Sequence, residues 1–359
     1  MKKLKLAIIG CGGMAQGGHA KSFSEVSDVI EVMACCDIEI EKAKAMAESM
    51  GVEHYAADYH DILEYCDAVM LVLPHHLHFP IGMECLKAGK HVLCEKPMCI
   101  SEQECIEMTE FAEKQGLVLM VAYVCRYMPI YNYLKNSIDD KRYGDIFQLS
   151  IWTEQLTMTN EWSKNAATLG GGQLFSHGCH YIDLLLWFLG EPKCGTHVGT
   201  KKCTPWMDRE GTSNVSIEFE SGALGYHFGT WGAKGSHHRY CTQAHFEDCM
   251  LELNVSDGLI YEYRWNEEPK LVDQVKIGKN TYYELRYFAE CVLMGKPVLT
   301  DGFDSLQGLR VIWELYEAEE KGIVADLRGL GIKHMEPFIK MEPAERRVAK
   351  AADGDGDIK

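Results

Sequence analysis

The chain has 359 residues, of which 47% are hydrophobic; this is too long for one ordinary core and fits two globular domains. A formal net charge of -17, with no basic run to offset it, repels nucleic acid and anionic lipid, so neither is expected as a partner. No apolar run is long enough to span a bilayer, and the opening MKKLKLAIIG reaches glycine too soon for a signal peptide, which makes a cytoplasmic location the expectation.

Residues 4–10, LKLAIIG, form an apolar run ending in glycine, the pattern of a buried parallel strand. In the following GCGGMAQGG, Gly10, Gly12 and Ala15 fit G-x-G-x-x-G/A at a strand-to-helix turn, with Gly13 and Met14 in the same turn. The first glycine permits the turn, the second admits a pyrophosphate to the backbone, and the small third residue lets helix and strand pack closely. A second strand, 29–37, ends in Asp37, where a carboxylate binds ribose hydroxyls and repels a 2′-phosphate, so the expected cofactor is NAD. Asp37 is also suited to capping the helix read over 38–51, which begins with Ile38. The run 66–74 is another buried strand, with Leu73, Pro74, His75 and His78 at its end; a helix over 80–89 leads to a strand at 91–97, closing on Glu95, Lys96 and Pro97. A further strand spans 117–123. Strands alternating with helices predict an α/β fold, a doubly wound Rossmann sheet binding its ligand at the strand carboxyl ends.

In the second half, GGGQLFSHGCHYIDLLLWFLG passes from glycines into a helix on which Ser176, His180 and Asp183 are spaced four and three apart, hence on one face. A site and a buried pair in which His180 and Asp183 satisfy each other are both open readings. Arg126 and Tyr127, Asn160 and Trp162, and His177 offer the aromatic and hydrogen-bonding groups that suit a sugar ring. The competing reading is core packing for Tyr127 and an exposed ion pair for Arg126. His237 and His238 read as a solvated loop. Alternating stretches within 213–231 and 245–263 predict an open, largely antiparallel sheet, with helices on one face and a partner subunit on the other, giving a homo-oligomer; 304–322 reads as an amphipathic helix. The expected domains are 1–124 for NAD, 125–338 for substrate and oligomer contacts, and a charged, disordered tail at 339–359. The 15 cysteines follow no disulfide or zinc spacing, so reduced thiols and no metal site are expected.

In order, the GxGxxA turn, Asp37, LPHHLH, AGKHVLCEKPM, RYMPIY and GGGQLFSHGCHYIDLLLWFLG resemble the Gfo/Idh/MocA oxidoreductases over residues 4 to about 330. The resemblance implies an N-terminal Rossmann domain for NAD(P), and a C-terminal α/β domain whose open sheet makes oligomer contacts. It implies that Lys96 and His180 act on a substrate hydroxyl, Lys96 hydrogen-bonding it and His180 taking its proton. Many relatives carry Asp four residues before that histidine, where this chain has Ser176. Some members oxidise glucosides at the sugar C3 hydroxyl; others use NAD transiently to hydrolyse or eliminate glycosides without net redox change. The expected function is therefore NAD-dependent oxidation of a secondary hydroxyl of a sugar, glycoside or cyclitol. Alternatives are the redox-neutral glycoside hydrolase or lyase and a non-catalytic dinucleotide sensor.

Overall fold

The computed structural model describes residues 2–157, 160–276, 278 and 281–340. The first sheet contains β1 (Leu4–Ile9), β2 (Ile30–Cys36), β3 (His54–Ala56), β4 (Ala68–Leu71), β5 (His91–Cys94) and β6 (Leu119–Val121). All neighbours are parallel, in the order β3-β2-β1-β4-β5-β6, which reverses direction between β1 and β4. β4 is buried at all four positions, because a doubly wound sheet is covered on both faces. Between the strands run α1 (Ala20–Glu25), α2 (Ile40–Met50), α3 (His78–Lys87) and α4 (Glu102–Gln115). The expected strands are all present, each trimmed by a residue or more, whereas β3 and α4 went unread.

After α5 (Pro129–Asp139) comes β7 (Ile146–Glu154), then the single turns α6 (Glu161–Lys164) and α7 (Ala166–Leu169). α8 (Cys179–Leu189) is preceded by a π-helical turn, Leu174–Gly178. Then come β8 (Pro192–Thr200), β9 (Thr212–Phe219), β10 (Leu224–Thr230), β11 (Tyr240–Phe246), β12 (Met250–Asn254), β13 (Leu259–Tyr263) and β14 (Lys270–Gln274). α9 (Thr281–Met294), α10 (Gly302–Lys321) and β15 (Ala325–Asp326) complete the elements. The second sheet runs β14-β13-β12-β11-β7-β10-β9-β8-β15, antiparallel throughout except for the parallel pair β7–β10. Leu149, Ile151, Val215 and Ile217 are buried within one continuous core shared with α8 and α10.

The two halves interleave. α9 lies in the second half of the sequence, yet Leu285, Phe288 and Ala289 are fully buried in a cluster with Leu4, Leu6 and Ile8 of β1. The edge strand β6 is met by the chain before α10, Val121 N–H donating to the Thr300 carbonyl at 2.8 Å. Ile339 is docked on α5, its N–H donating to Asn132 Oδ1 at 3.0 Å; the rest of the tail expected to be disordered, 341–359, lies outside the described residues.

Candidate active site

A cavity of about 1550 Å³ opens at the carboxyl ends of β1, β2, β4 and β5, where the strand order reverses, and extends to the second domain. Its size exceeds the roughly 300–1,000 Å³ of a single small-ligand site, so two ligands fit side by side. Gly10 begins the first wall with φ +98°, and a Cβ there would lie 2.2 Å from the Val72 carbonyl oxygen. At Gly12 and Gly13 a Cβ would meet nothing within 4 Å, so bare backbone faces open space. Ala15 is fully buried behind them. Asp37 accepts the Cys11 N–H on Oδ2 (2.8 Å) and the Glu39 N–H on Oδ1 (2.9 Å). One carboxylate thus ties the glycine turn to the approach of α2 while lining the cavity with Met14, Ile38, Leu73 and Pro74. Exposed backbone N–H groups beside a fixed carboxylate fit the pyrophosphate and ribose of a dinucleotide.

Deeper in, Glu95 and Lys96 leave β5 in different directions. Glu95 is buried, with Oε1 2.7 Å from His19 Nε2 and Oε2 accepting the Lys96 backbone N–H at 3.1 Å. Lys96 Nζ instead crosses to the second domain and donates to the Ser176 carbonyl at 2.9 Å. The carboxylate therefore fixes the lysine's backbone rather than pairing with its ammonium. His19 was not singled out from the sequence; a lone histidine five residues beyond Met14 carries no local signal of a partner 76 positions away.

On the far wall the π-helical turn and α8 bring Ser176, His177 and His180 to the cavity. Asn160 at the N-cap of α6 and Trp162 within α6 line it, as do Gln155, just past β7, and Tyr240 of β11, both missed in the sequence. Tyr240 Oη donates to Gln155 Oε1 at 2.5 Å and lies 3.4 Å from His177 Nε2. His75 spans the domains, its Nδ1 2.8 Å from the Leu169 carbonyl and its ring edge-on to Trp162, with centroids 4.9 Å apart. Burial pushes the His75 pKa well below the ordinary imidazole value, so the ring is neutral and Nδ1–H donates.

Four expected contacts lie elsewhere. His78 is fully buried behind the wall, its ring nitrogens 2.8 Å from the Pro97 carbonyl and 3.0 Å from that of Leu73; it ties the loops after β4 and β5 together rather than facing a cofactor. Arg126, expected either at the substrate or in an exposed ion pair, is buried. It donates to both Asp183 oxygens (2.8 and 2.6 Å) and to the Leu299 and His334 carbonyls (2.9 Å each). Asp183 therefore belongs to this core pair and not to His180. Three residues leave Asp183 only about 60° round α8 from His180; what separates them is the buried Arg126 guanidinium, whose two hydrogen bonds claim both carboxylate oxygens. Tyr127 is fully buried, its hydroxyl 3.0 Å from Thr300 Oγ1, so core packing was the correct reading for it. Asp301, Asp304 and His334 have metal-ligand proximity, but Asp304 accepts the Lys333 and His334 N–H groups and lies 3.5 Å from the Arg126 guanidinium. A cation there would face another cation.

A dinucleotide-type cleft shared with a second, sheet-based domain defines a two-domain oxidoreductase architecture. Residues 4–123 match the model described as oxidoreductase family, NAD-binding Rossmann fold, and residues 131–259 match the GFO/IDH/MocA C-terminal domain. The chain belongs to the Gfo/Idh/MocA oxidoreductase family. It is 30% identical to D-glucoside 3-dehydrogenase of Escherichia coli K12 over 193 residues, 53% of this chain and 55% of that protein; it thus spans about half the length of this relative. It is 24% identical to D-xylose 1-dehydrogenase (NADP(+)) 2 of Haloferax volcanii over 80% of this chain and 89% of that one. The structure of aldose-aldose oxidoreductase from Caulobacter crescentus, complexed with glycerol, shares the fold with a TM-score of 0.82 at 24% identity, covering 90% of this chain and 100% of that one.

Proposed function

We propose that this protein is an NAD-dependent dehydrogenase acting on a secondary hydroxyl of a sugar, glycoside or cyclitol, with Lys96 and His180 handling the hydroxyl proton. The observation that carries this reading is the hydrogen bond from Lys96 Nζ to the Ser176 carbonyl, which joins the end of β5 to the turn that delivers His180. Gly10, Gly12, Gly13 and Asp37 would hold the dinucleotide, and when bound it supplies a hydride acceptor. His180 accepts the hydroxyl proton, imidazole being the side chain best matched to that transfer near neutral pH. Lys96 Nζ donates a hydrogen bond to the same oxygen and stabilises the negative charge that develops there. Asp37 favours NAD over NADP, because a 2′-phosphate would approach a carboxylate already held by two backbone N–H groups.

The second sheet supports self-association. Its face away from α8 pairs Trp152 with Phe228 and leaves Val198 and Leu224 exposed, an apolar surface suited to a second copy. Incubating the protein with NAD and a panel of sugars, glycosides and inositols tests the activity by NADH absorbance and product analysis. NADH rising with a member of one class is the expected result. Substrate consumed without NADH would replace this reading with the redox-neutral hydrolase.

A further inference from the structure

We infer that the substrate is an uncharged polyol or glycoside, and that the cavity discriminates against substrates carrying a phosphate or carboxylate, with Gln155 and Tyr240 reading its hydroxyls. This rests on the hydroxyl-oxidation reading above and narrows it to a substrate class. Charged side chains around the cavity gather at one end: Asp37, Glu39, Lys42 and Asp58 surround the dinucleotide half. Among the described residues of the second domain that line the cavity, none is Asp, Glu, Lys or Arg. Glu95 is held by His19, and Lys96 Nζ, which donates one hydrogen bond to the Ser176 carbonyl, keeps its remaining donors for the reacting hydroxyl. With Lys96 engaged by the reacting hydroxyl, a phosphate or carboxylate elsewhere in the substrate half would be desolvated against aromatic and amide groups, with no further Lys or Arg among the described lining residues there.

What the wall offers instead is fixed neutral hydrogen bonding. Gln155 and Tyr240 are joined to each other, Tyr240 approaches His177, and His177 Nδ1 lies 3.4 Å from Gln173 Nε2. Gln173 Oε1 in turn accepts from Ser213 Oγ on β9 at 2.7 Å, anchoring the chain of contacts in the sheet. Burial pushes the Tyr240 phenol up to about 12, so it remains a neutral donor. Trp162, braced by His75, presents an apolar face of the kind that covers a sugar ring.

The test uses the whole protein with saturating NAD and matched pairs: glucose against glucose 6-phosphate and against glucuronate, with the corresponding galactose pairs. In pairs with turnover, the neutral member is expected to have the higher kcat/KM by at least about 100-fold. Tyr240→Phe and Gln155→Ala are expected to raise KM for that member about 10-fold with kcat retained, while Gln155→Lys narrows the gap to the phosphate. A charged member equal to or better than its neutral partner overturns the inference and leaves the dehydrogenase reading standing. If nothing is turned over, the wider panel above decides the dehydrogenase reading, and calorimetric binding of the same pairs to the NAD-loaded protein decides the inference alone. Tighter binding of the neutral members supports it; preference for the charged members, or binding of neither, overturns it.

Discussion

At the scale of single residues, the cavity separates side chains that line it from those that aim them from behind. On the proposed reading, Lys96→Ala and His180→Ala each remove a group assigned to the hydroxyl and not to the dinucleotide. Each is expected to lower kcat by about 10²–10⁴-fold, with NAD binding within a few-fold of the parent by fluorescence titration. Near-normal turnover in either variant would remove that residue from the chemistry. Asp37→Ala is expected to weaken NAD and relax discrimination against NADP, read as the ratio of kcat/KM for the two cofactors; an unchanged ratio would take Asp37 out of cofactor selection. The residues whose place at the cavity was legible in the sequence were those set by local spacing: the glycines, Asp37 after β2, Lys96 after β5. Those that were not visible depend on distant partners. His19 gains its partner only through Glu95, and Arg126, expected at the substrate or in an exposed ion pair, is buried because Asp183 and the backbone carbonyls absorb its donors.

At the scale of elements, the parallel strands were legible because two-sided burial writes itself as unbroken apolar runs such as AVML of β4. α9 was not legible as part of the first domain, since its apolar face says nothing about which sheet it covers. That face contributes fully buried Leu285 and Phe288 to the β1 cluster, and Thr300 satisfies the β6 edge. A fragment ending at residue 124 would therefore expose apolar surface and an unpaired strand edge. It is expected to lack a cooperative melting transition by circular dichroism, and a sharp transition would show that the first domain folds without α9. In the whole protein, Phe288→Ala is expected to cost about 3–5 kcal/mol by denaturant titration.

At the scale of the molecule, stability carries a pH signature from buried neutral imidazoles. Burial holds His75 well below the ordinary value, lowers His78, and brings His227, stacked on Tyr181, from 6.5 to about 3. Above pH 6.5 both states are neutral at these positions and nothing is lost. Below it the unfolded chain takes up protons that the folded state refuses, so stability falls by up to about 1.4 kcal/mol per pH unit for each group. His334, raised by its hydrogen bond to Asp304, works in the opposite direction but stands alone among these four. The melting temperature is therefore expected to drop steadily from pH 7 to pH 5, and His227→Gln to make that slope shallower. A flat profile would mean that these rings are protonated in the fold.

The crossings between the halves also govern how ligand binding is felt. His75 reaches the Leu169 carbonyl, Lys96 reaches that of Ser176, and β6 is completed by Thr300 from beyond the second sheet. A dinucleotide seated entirely on the glycine turn and Asp37 would consequently raise the unfolding free energy of the distant nine-stranded sheet, which it never touches. In linkage terms, the two halves share a single reservoir of stability, and occupancy of one protects both.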